Sequence, residues 1–459
     1  MKTSVAITAF FLLAGCTSAQ TKSNAGAIPV KAFTCNSDIF QMDMVLKEYY
    51  FHSKNIDDAV KVDISYLNGS EKLTNVPVIY VTDGYWRRSD YKYIHYLTKR
   101  KEIPPVIVAA IGYPKNYDYE KTRTRDLTDS PENFRQCILK EVIPFVEGKF
   151  SCDPHKRILF GASRGGHFTL YSFFHDAADS NNVFCAYIGA SPYLPEKDAA
   201  KLYGFEKTLS EKTNAIHSRL FLSYGELEGY DFMVGPDEKM FRLLDERNYQ
   251  GLEFIHHVYP EKNHYTNMRP TMVDGVRLFL ADSVHRGIGF KDFQQNSLSY
   301  HFKNSAEIYD WDYSLDNKHF AIRSLAFDPA NSSELDGSGS LKAECRFTGP
   351  DSSEAYVGTV FDHGEDFSGK TVSVKVYIPE DLAGMNCTIR TFVFSTENWI
   401  SDEQKPLELK GGWNDIHWDL SNAQLKGNVK EVRRFGWSIL HPDGKPLWNG
   451  NIYYDEIHW

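Results

Sequence analysis

Past its first twenty residues the chain lacks any apolar run near the ~20 residues that cross a bilayer as a helix, so its body is not a bundle of membrane spans. A basic excess is missing too. Lys and Arg number 51 against 61 Asp and Glu, a net charge of −10, which excludes a surface built to neutralise nucleic-acid phosphates. Heptads, internal repeats and low-complexity tracts are absent, which excludes coiled coils and solenoids. The cysteines show no zinc-ligand spacing. What remains is 459 residues, 42% apolar and 24% charged, the size and balance of two or three globular domains.

The N-terminus reads as an export signal: one Lys, a short apolar core, then Leu13-Ala14-Gly15-Cys16. That ending resembles a bacterial lipoprotein box, which implies cleavage before Cys16, a lipid on its thiol, and an exported protein held on a membrane by that lipid alone. The small polar stretch that follows suits a tether, so residues 1–28 are set apart from the fold. Cys35, Cys137, Cys152, Cys185, Cys345 and Cys387 remain. Export would let them form disulfides, but buried free thiols fit as well, and pairing cannot be read from sequence.

Residues 45–67 alternate as two strands, "VLKEYYF" and "VKVDISYL". "VPVIYVTDG", "PPVIVAAIGY", "RILFGAS", "VFCAYIGAS", "RLFLSYG" and "LEFIHHVYP" are short β-branched apolar runs, the mark of strands buried on both faces. Helix-compatible segments separate the later ones, and residues 269–285 form a last amphipathic helix. Alternating strands and helices predict a parallel sheet covered on both faces. After about residue 290 the pattern changes to short strands between Gly, Asn and Asp, as in a β-sandwich or jelly roll. The expected plan is α/β for residues 29–290 and all-β for 291–459.

"RILFGASRGGHFTLY" carries the chemistry. A buried strand, then Gly-x-Ser-x-Gly, then a helix is a nucleophile elbow, whose strained turn lifts Ser163 above the sheet edge. A serine hydroxyl needs a base, and in this arrangement an acid and then a histidine follow in the chain. "RLFLSYGELEGYD" offers Glu226, Glu228 and Asp231 just past a strand. "LEFIHHVYPEKNHYTNMRP" offers His256, His257 and His264. The first two histidines sit inside the strand; His264 falls in the loop after it and is preferred. His167, on the helix after the elbow, reads as structural.

These motifs, in this order, resemble the esterase family of α/β-hydrolases that includes enterochelin-type siderophore esterases, S-formylglutathione hydrolases, and feruloyl and acetylxylan esterases of carbohydrate esterase family 1. The resemblance covers about residues 45–285. It rests on "VPVIYVTDG", "IVAAIGY" with "RTRDLTD", "GASRGG", "SYGELEG" and "NHYT". It implies an α/β-hydrolase fold and the triad Ser163, His264 and Glu228, with the amides of Arg164 and Tyr85 receiving the oxyanion and no cofactor for catalysis. Trp86, Tyr113, Arg125 and Tyr193 would line an aromatic cleft for a phenolic acyl group or a sugar; an internal ion pair between Arg125 and Asp126 fits the loop equally well.

"DGSGSLKAECRF", "GGWNDIHWDLS", "VKEVRRFGWSIL" and "GNIYYDEIHW" resemble carbohydrate-binding modules of the galactose-binding-like jelly-roll type. Alternation turns Trp418, Trp437 and Trp459 inward and leaves Trp399 and Trp448 as candidate sugar platforms. Asp336 and Asp455 are candidate ligands of a structural calcium. The leading expectation is a serine esterase that removes feruloyl or acetyl groups from an acylated polysaccharide. The alternative is a ferric-siderophore esterase of the enterochelin type. A third reading, of another class, is a non-catalytic glycan-binding protein on a hydrolase fold.

Overall fold

The computed structural model describes residues 30–34, 37–114, 117–179, 183–291, 299–313, 320–333, 338–349, 353–395, 400–420, 426–442 and 447–459; of residues 37, 85, 86, 362, 363 and 400–403 it describes the backbone alone. Cys16, Cys35, Asp336 and Trp399 lie outside the described residues.

Eight strands make the sheet of the N-terminal domain: β1 (Met44–Ser53), β2 (Asp58–Leu67), β3 (Val76–Val81), β4 (Ile107–Gly112), β5 (Cys152–Ala162), β6 (Ala186–Ala190), β7 (Arg219–Gly225) and β8 (Glu253–Tyr259). Their spatial order is β1-β2-β4-β3-β5-β6-β7-β8. Strands β3 to β8 run parallel, as the alternation predicts. The first two run antiparallel, because residues 54–57 close only a hairpin, whereas a parallel crossover needs a dozen or more residues.

Every residue of β3 and β4 is buried, since helices cover both faces. Helices α1 (Arg88–Lys99) and α5 (Met268–Leu280) pack Tyr91, Ile94, Met272 and Val276 on one face. Helices α2 (Arg164–Ala178), α3 (Glu196–Lys212) and α4 (Gly235–Arg247) pack Phe168, Leu202 and Met240 on the other. The domain closes with a short strand, Ile288–Lys291, that pairs in parallel with Val30–Thr34. This is an α/β-hydrolase domain, and an antiparallel β-sandwich follows it.

One sheet of the sandwich orders Ile322–Asp328, Ser340–Phe347, Trp448–His458, Thr371–Ile378 and Gly412–Asp419; the other orders Trp311–Asp312, Glu354–Glu365, Val432–Leu440, Thr388–Ser395 and Ile400–Glu403. Trp311, Trp418, Trp437 and Trp459 are buried between them, with Trp311 stacked on Trp437 at 5.7 Å. Trp448 is buried as well, at 6% exposure, which corrects the platform expectation. It opens a strand rather than lying in a loop; its ring leans on Phe347, and its indole N–H donates to the Asp381 carboxylate at 2.9 Å.

Asp455 also departs from expectation. Its carboxylate accepts from the Ser333 amide and hydroxyl, both at 2.8 Å, from the Ser332 hydroxyl and from the Glu456 amide. Those donors occupy the oxygens a calcium would take. No group of three or more His, Cys, Asp or Glu is placed to hold a metal ion among the described residues. Among the described cysteines, Cys137, Cys152, Cys185 and Cys387 are free, and burial pushes the thiols of Cys137 and Cys152 up to about 12. No described helix is long and apolar enough to cross a membrane.

Candidate active site

Ser163 stands where β5 ends and α2 begins, at φ 57°, ψ −117°. A side chain at positive φ costs energy and persists only where the surroundings impose it. They do so on both sides of the residue. The Ser163 amide donates to the Ala190 carbonyl at 2.9 Å, and its own carbonyl accepts from the Tyr193 amide at 2.9 Å. Glycines permit the close approach: a Cβ on Gly165 would lie 2.3 Å from Thr82 Oγ1 at the end of β3. The first amides of α2, beginning with Arg164, have no partner within the helix and carry its positive dipole end.

The acid lies past β7, two strands along. Glu228 is buried and fully engaged. Its Oε1 accepts from Ser191 Oγ at 2.5 Å and from the Gly225 amide at 2.7 Å; its Oε2 lies 2.8 Å from His264 Nδ1. A carboxylate can only accept, so Nδ1 carries the hydrogen and Nε2 keeps its lone pair. The Glu228 side chain is wholly enclosed, while that of His264 is 28% exposed, so the ring passes from the buried acid to the open edge. The two loops are zipped together, Leu227 N–H to Lys262 O at 2.8 Å and Glu226 N–H to Tyr259 O at 3.0 Å.

Four neighbouring strands thus deliver Ser163, Ser191, Glu228 and His264 to one carboxyl edge of the sheet. Ser191 was not singled out in the sequence. It sits at φ 42° in the segment that also holds the Ser163 backbone, so one short stretch fixes nucleophile and acid together. Asn267, fully buried, donates to Ser191 Oγ at 2.8 Å and to Ser223 Oγ at 3.3 Å. Because that amide fills a lone pair of Ser191, the hydroxyl hydrogen is aimed at Glu228.

The turn expected to hold the second oxyanion donor, Gly84–Arg87, follows β3. The side chains of Tyr85 and Trp86 are outside the description. Asp83, which precedes the turn at φ 53°, is clamped by Arg123, whose Nε lies 2.9 Å from both of its oxygens, and by the Tyr119 hydroxyl at 2.8 Å. Arg123 rather than Arg125 therefore serves this edge. Arg125 is taken by Asp126 and Asp58, each at 2.7 Å, which corrects its expected place on substrate and leaves it a loop-holding ion pair. Tyr113 is corrected likewise: it is buried, edge-on to Tyr119 at 5.7 Å, and lines no open cleft. Tyr193 is half-buried beside the elbow, with the Arg164 guanidinium 4.6 Å from its ring centre.

The other histidines have structural partners. His167 meets the Tyr193 carbonyl at 3.1 Å, and burial holds it down to about 4. His256 pairs with Asp245 at 3.1 Å. Burial holds His257 down to about 4.

Fold and site define the class: an α/β-hydrolase domain of the serine type, with a serine elbow after β5 and a paired glutamate and histidine after β7 and β8, at the carboxyl ends of strands in one sheet. Residues 53–202 match the family model described as "Putative esterase". The chain is 30% identical over 173 residues to an apo-salmochelin esterase of Escherichia coli, covering 32% of this chain and 52% of that protein; it spans about half the length of this curated relative. Among solved structures it is similar to the BES protein from Bacillus cereus, at 24% identity, 56% of this chain, 100% of that one and a TM-score of 0.46. It is also similar to the siderophore hydrolase EstB from Aspergillus nidulans, at 20% identity, 52% and 96% coverage and a TM-score of 0.45.

Proposed function

We propose that this protein is a serine esterase that opens the ester bonds of a catecholate siderophore. The chemistry is carried by one observation: Glu228 Oε2 lies 2.8 Å from His264 Nδ1, at the edge where the strained elbow presents Ser163. Ser163 Oγ attacks the ester carbonyl while His264 Nε2 takes its proton, and Glu228 steadies the imidazolium that results. The amides of Arg164 and Tyr85 receive the oxyanion, where one such donor contributes on the order of 3 kcal/mol. Collapse breaks the acyl–oxygen bond, and His264 returns the proton to the departing alcohol. Water then repeats the sequence on the acyl-enzyme and frees Ser163.

The siderophore reading takes its support from the likeness to an apo-salmochelin esterase, and it replaces the polysaccharide reading as the leading one. That reading leaned on tryptophan platforms in the sandwich, and Trp448 is buried. The mouth of the site also suits aromatic rings. Tyr230 and Phe232, just past the acid loop, and Tyr265, next to His264, are 63%, 79% and 57% exposed. A lipid on Cys16 would hold the exported enzyme at a membrane. The test compares a catecholate trilactone, methyl ferulate and acetylated xylan with wild type and Ser163→Ala. Trilactone hydrolysis that the variant loses by several orders of magnitude supports the reading. Turnover confined to ferulate or xylan restores the polysaccharide reading, and turnover that survives the substitution removes Ser163 from the mechanism.

A further inference from the structure

We infer that the C-terminal sandwich is a positioning domain for the Gly84–Arg87 turn, acting through Asp310 and Tyr313 on the first turns of α1. The inference rests on the esterase reading, which gives that turn an oxyanion donor.

Helix α1 begins at Arg88, one residue past the turn. It is fastened to the turn by Tyr91, whose hydroxyl donates to the Gly84 carbonyl at 2.5 Å, so a shift of α1 moves the turn. On the hydrolase side α1 is held by Asp90, which pairs with Arg269 of α5 at 2.8 Å and with Arg87 at 2.9 Å. The opposite side of α1 depends on the sandwich. The buried Lys92 ammonium pairs with Asp310, whose other oxygen accepts from the Tyr300 hydroxyl at 2.9 Å. The buried Arg88 guanidinium meets Glu48 of β1 at 3.3 Å, and Glu48 also takes Lys61 at 3.1 Å and the Tyr313 hydroxyl at 3.5 Å. The start of β1 is tied in as well, with the Met44 amide donating to Ser305 Oγ at 2.7 Å.

These contacts are not those of a module carried on a loose linker. One apolar core runs from Tyr93 and Met272 of the hydrolase into Tyr300, Trp311 and Ile322 of the sandwich. Buried cations tolerate their position only while their partners are present; removing one partner leaves a charge that must move toward water. Lys92 loses its anion with Asp310, whereas Arg88 keeps Glu48 and loses only the Tyr313 hydroxyl that helps order that carboxylate; both cations lie within the first turns of α1, so the displacement falls on the segment next to the turn. Catalysis is sensitive to such displacements, since about 1 Å of misplacement costs about a hundredfold.

The experiment uses the full chain with Asp310→Asn and Tyr313→Phe, singly and together, assayed on one soluble ester and by the rate at which a fluorophosphonate labels Ser163. The double variant is expected to lose about 10- to 100-fold in kcat, with KM within about twofold and labelling slowed in parallel. Trp448→Phe, which disturbs the sandwich away from the hydrolase, is expected to lower Tm and keep the wild-type kcat. The inference is overturned if the folded double variant turns over like wild type, if only KM changes, or if Trp448→Phe lowers kcat equally. Should the double variant fail to fold, Tyr313→Phe alone decides by the same readouts. A wild-type protein that neither hydrolyses esters nor reacts with the fluorophosphonate overturns the esterase reading, and this inference with it.

Discussion

Removing the Ser191 hydroxyl tests the site where sequence reasoning was blind. Ser191→Ala deletes the 2.5 Å bond to Glu228 Oε1 and leaves that oxygen with the Gly225 amide alone. It also strips Asn267 of its shorter acceptor, leaving Ser223 at 3.3 Å. A hydrogen bond to a charged group is worth about 1.5–3 kcal/mol. Part of that loss reaches the transition state, because a carboxylate free to rock no longer fixes the imidazole it orients. Converted at about 1.4 kcal/mol per tenfold, the expected fall in kcat is about 10- to 100-fold with KM little changed. Position 191 is left-handed, so Ser191→Gly provides a paired control: it removes the same hydroxyl but relieves about 1–2 kcal/mol of backbone strain. The glycine variant should melt higher than the alanine variant and be as slow. In a Glu228→Ala background, Ser191→Ala should cost little more, since the two residues act as a unit. Steady-state kinetics on a soluble ester, with Tm alongside, reads all of this. A Ser191→Ala enzyme within twofold of wild-type kcat would show that the hydroxyl orders nothing the reaction uses.

Two further outcomes follow from the packing. In Gly225→Ala, the new Cβ would sit 2.3 Å from the Lys262 carbonyl; the acid and histidine loops must part, and activity should fall about a hundredfold or more with a smaller proportional loss in Tm, whereas retained activity would mean the loops are not held by that contact. Acid should weaken the fold through His95 and His167, which burial lowers from 6.5 to about 3 and about 4. Below pH 6.5 the unfolded chain binds protons the folded one refuses, so each costs about 2 kcal/mol between pH 6.5 and 5, and nothing above 6.5. Melting at pH 7, 6 and 5 checks the sign, and a His167→Gln variant should flatten the slope.

What could be read from the residues was whatever chemistry and local pattern carry. The elbow is legible because a strand, two flanking glycines and a helix are contiguous. The acid and histidine candidates are legible because each follows a strand of unmistakable apolar character. Inward tryptophans at Trp418, Trp437 and Trp459 follow from strand alternation, which has a fixed period of two. Trp448 misled for the same local reason: Gly, Pro and Asn surround it, and nothing nearby says that Asp381, far back in the chain, waits for its N–H.

Local sequence thus determined the strands, the order of the two domains and the candidates for attack, because hydrophobic period and turn chemistry act over a few residues. Tertiary structure decided the rest. Ser191 reaches Glu228 only because β6 lies between β5 and β7, and Arg123 reaches Asp83 only because the segment after β4 folds back over β3. Lys92 finds its anion, Asp310, across a domain boundary. Each depends on which distant strands become neighbours, a choice made by burying the whole core at once and written in no single stretch of the chain.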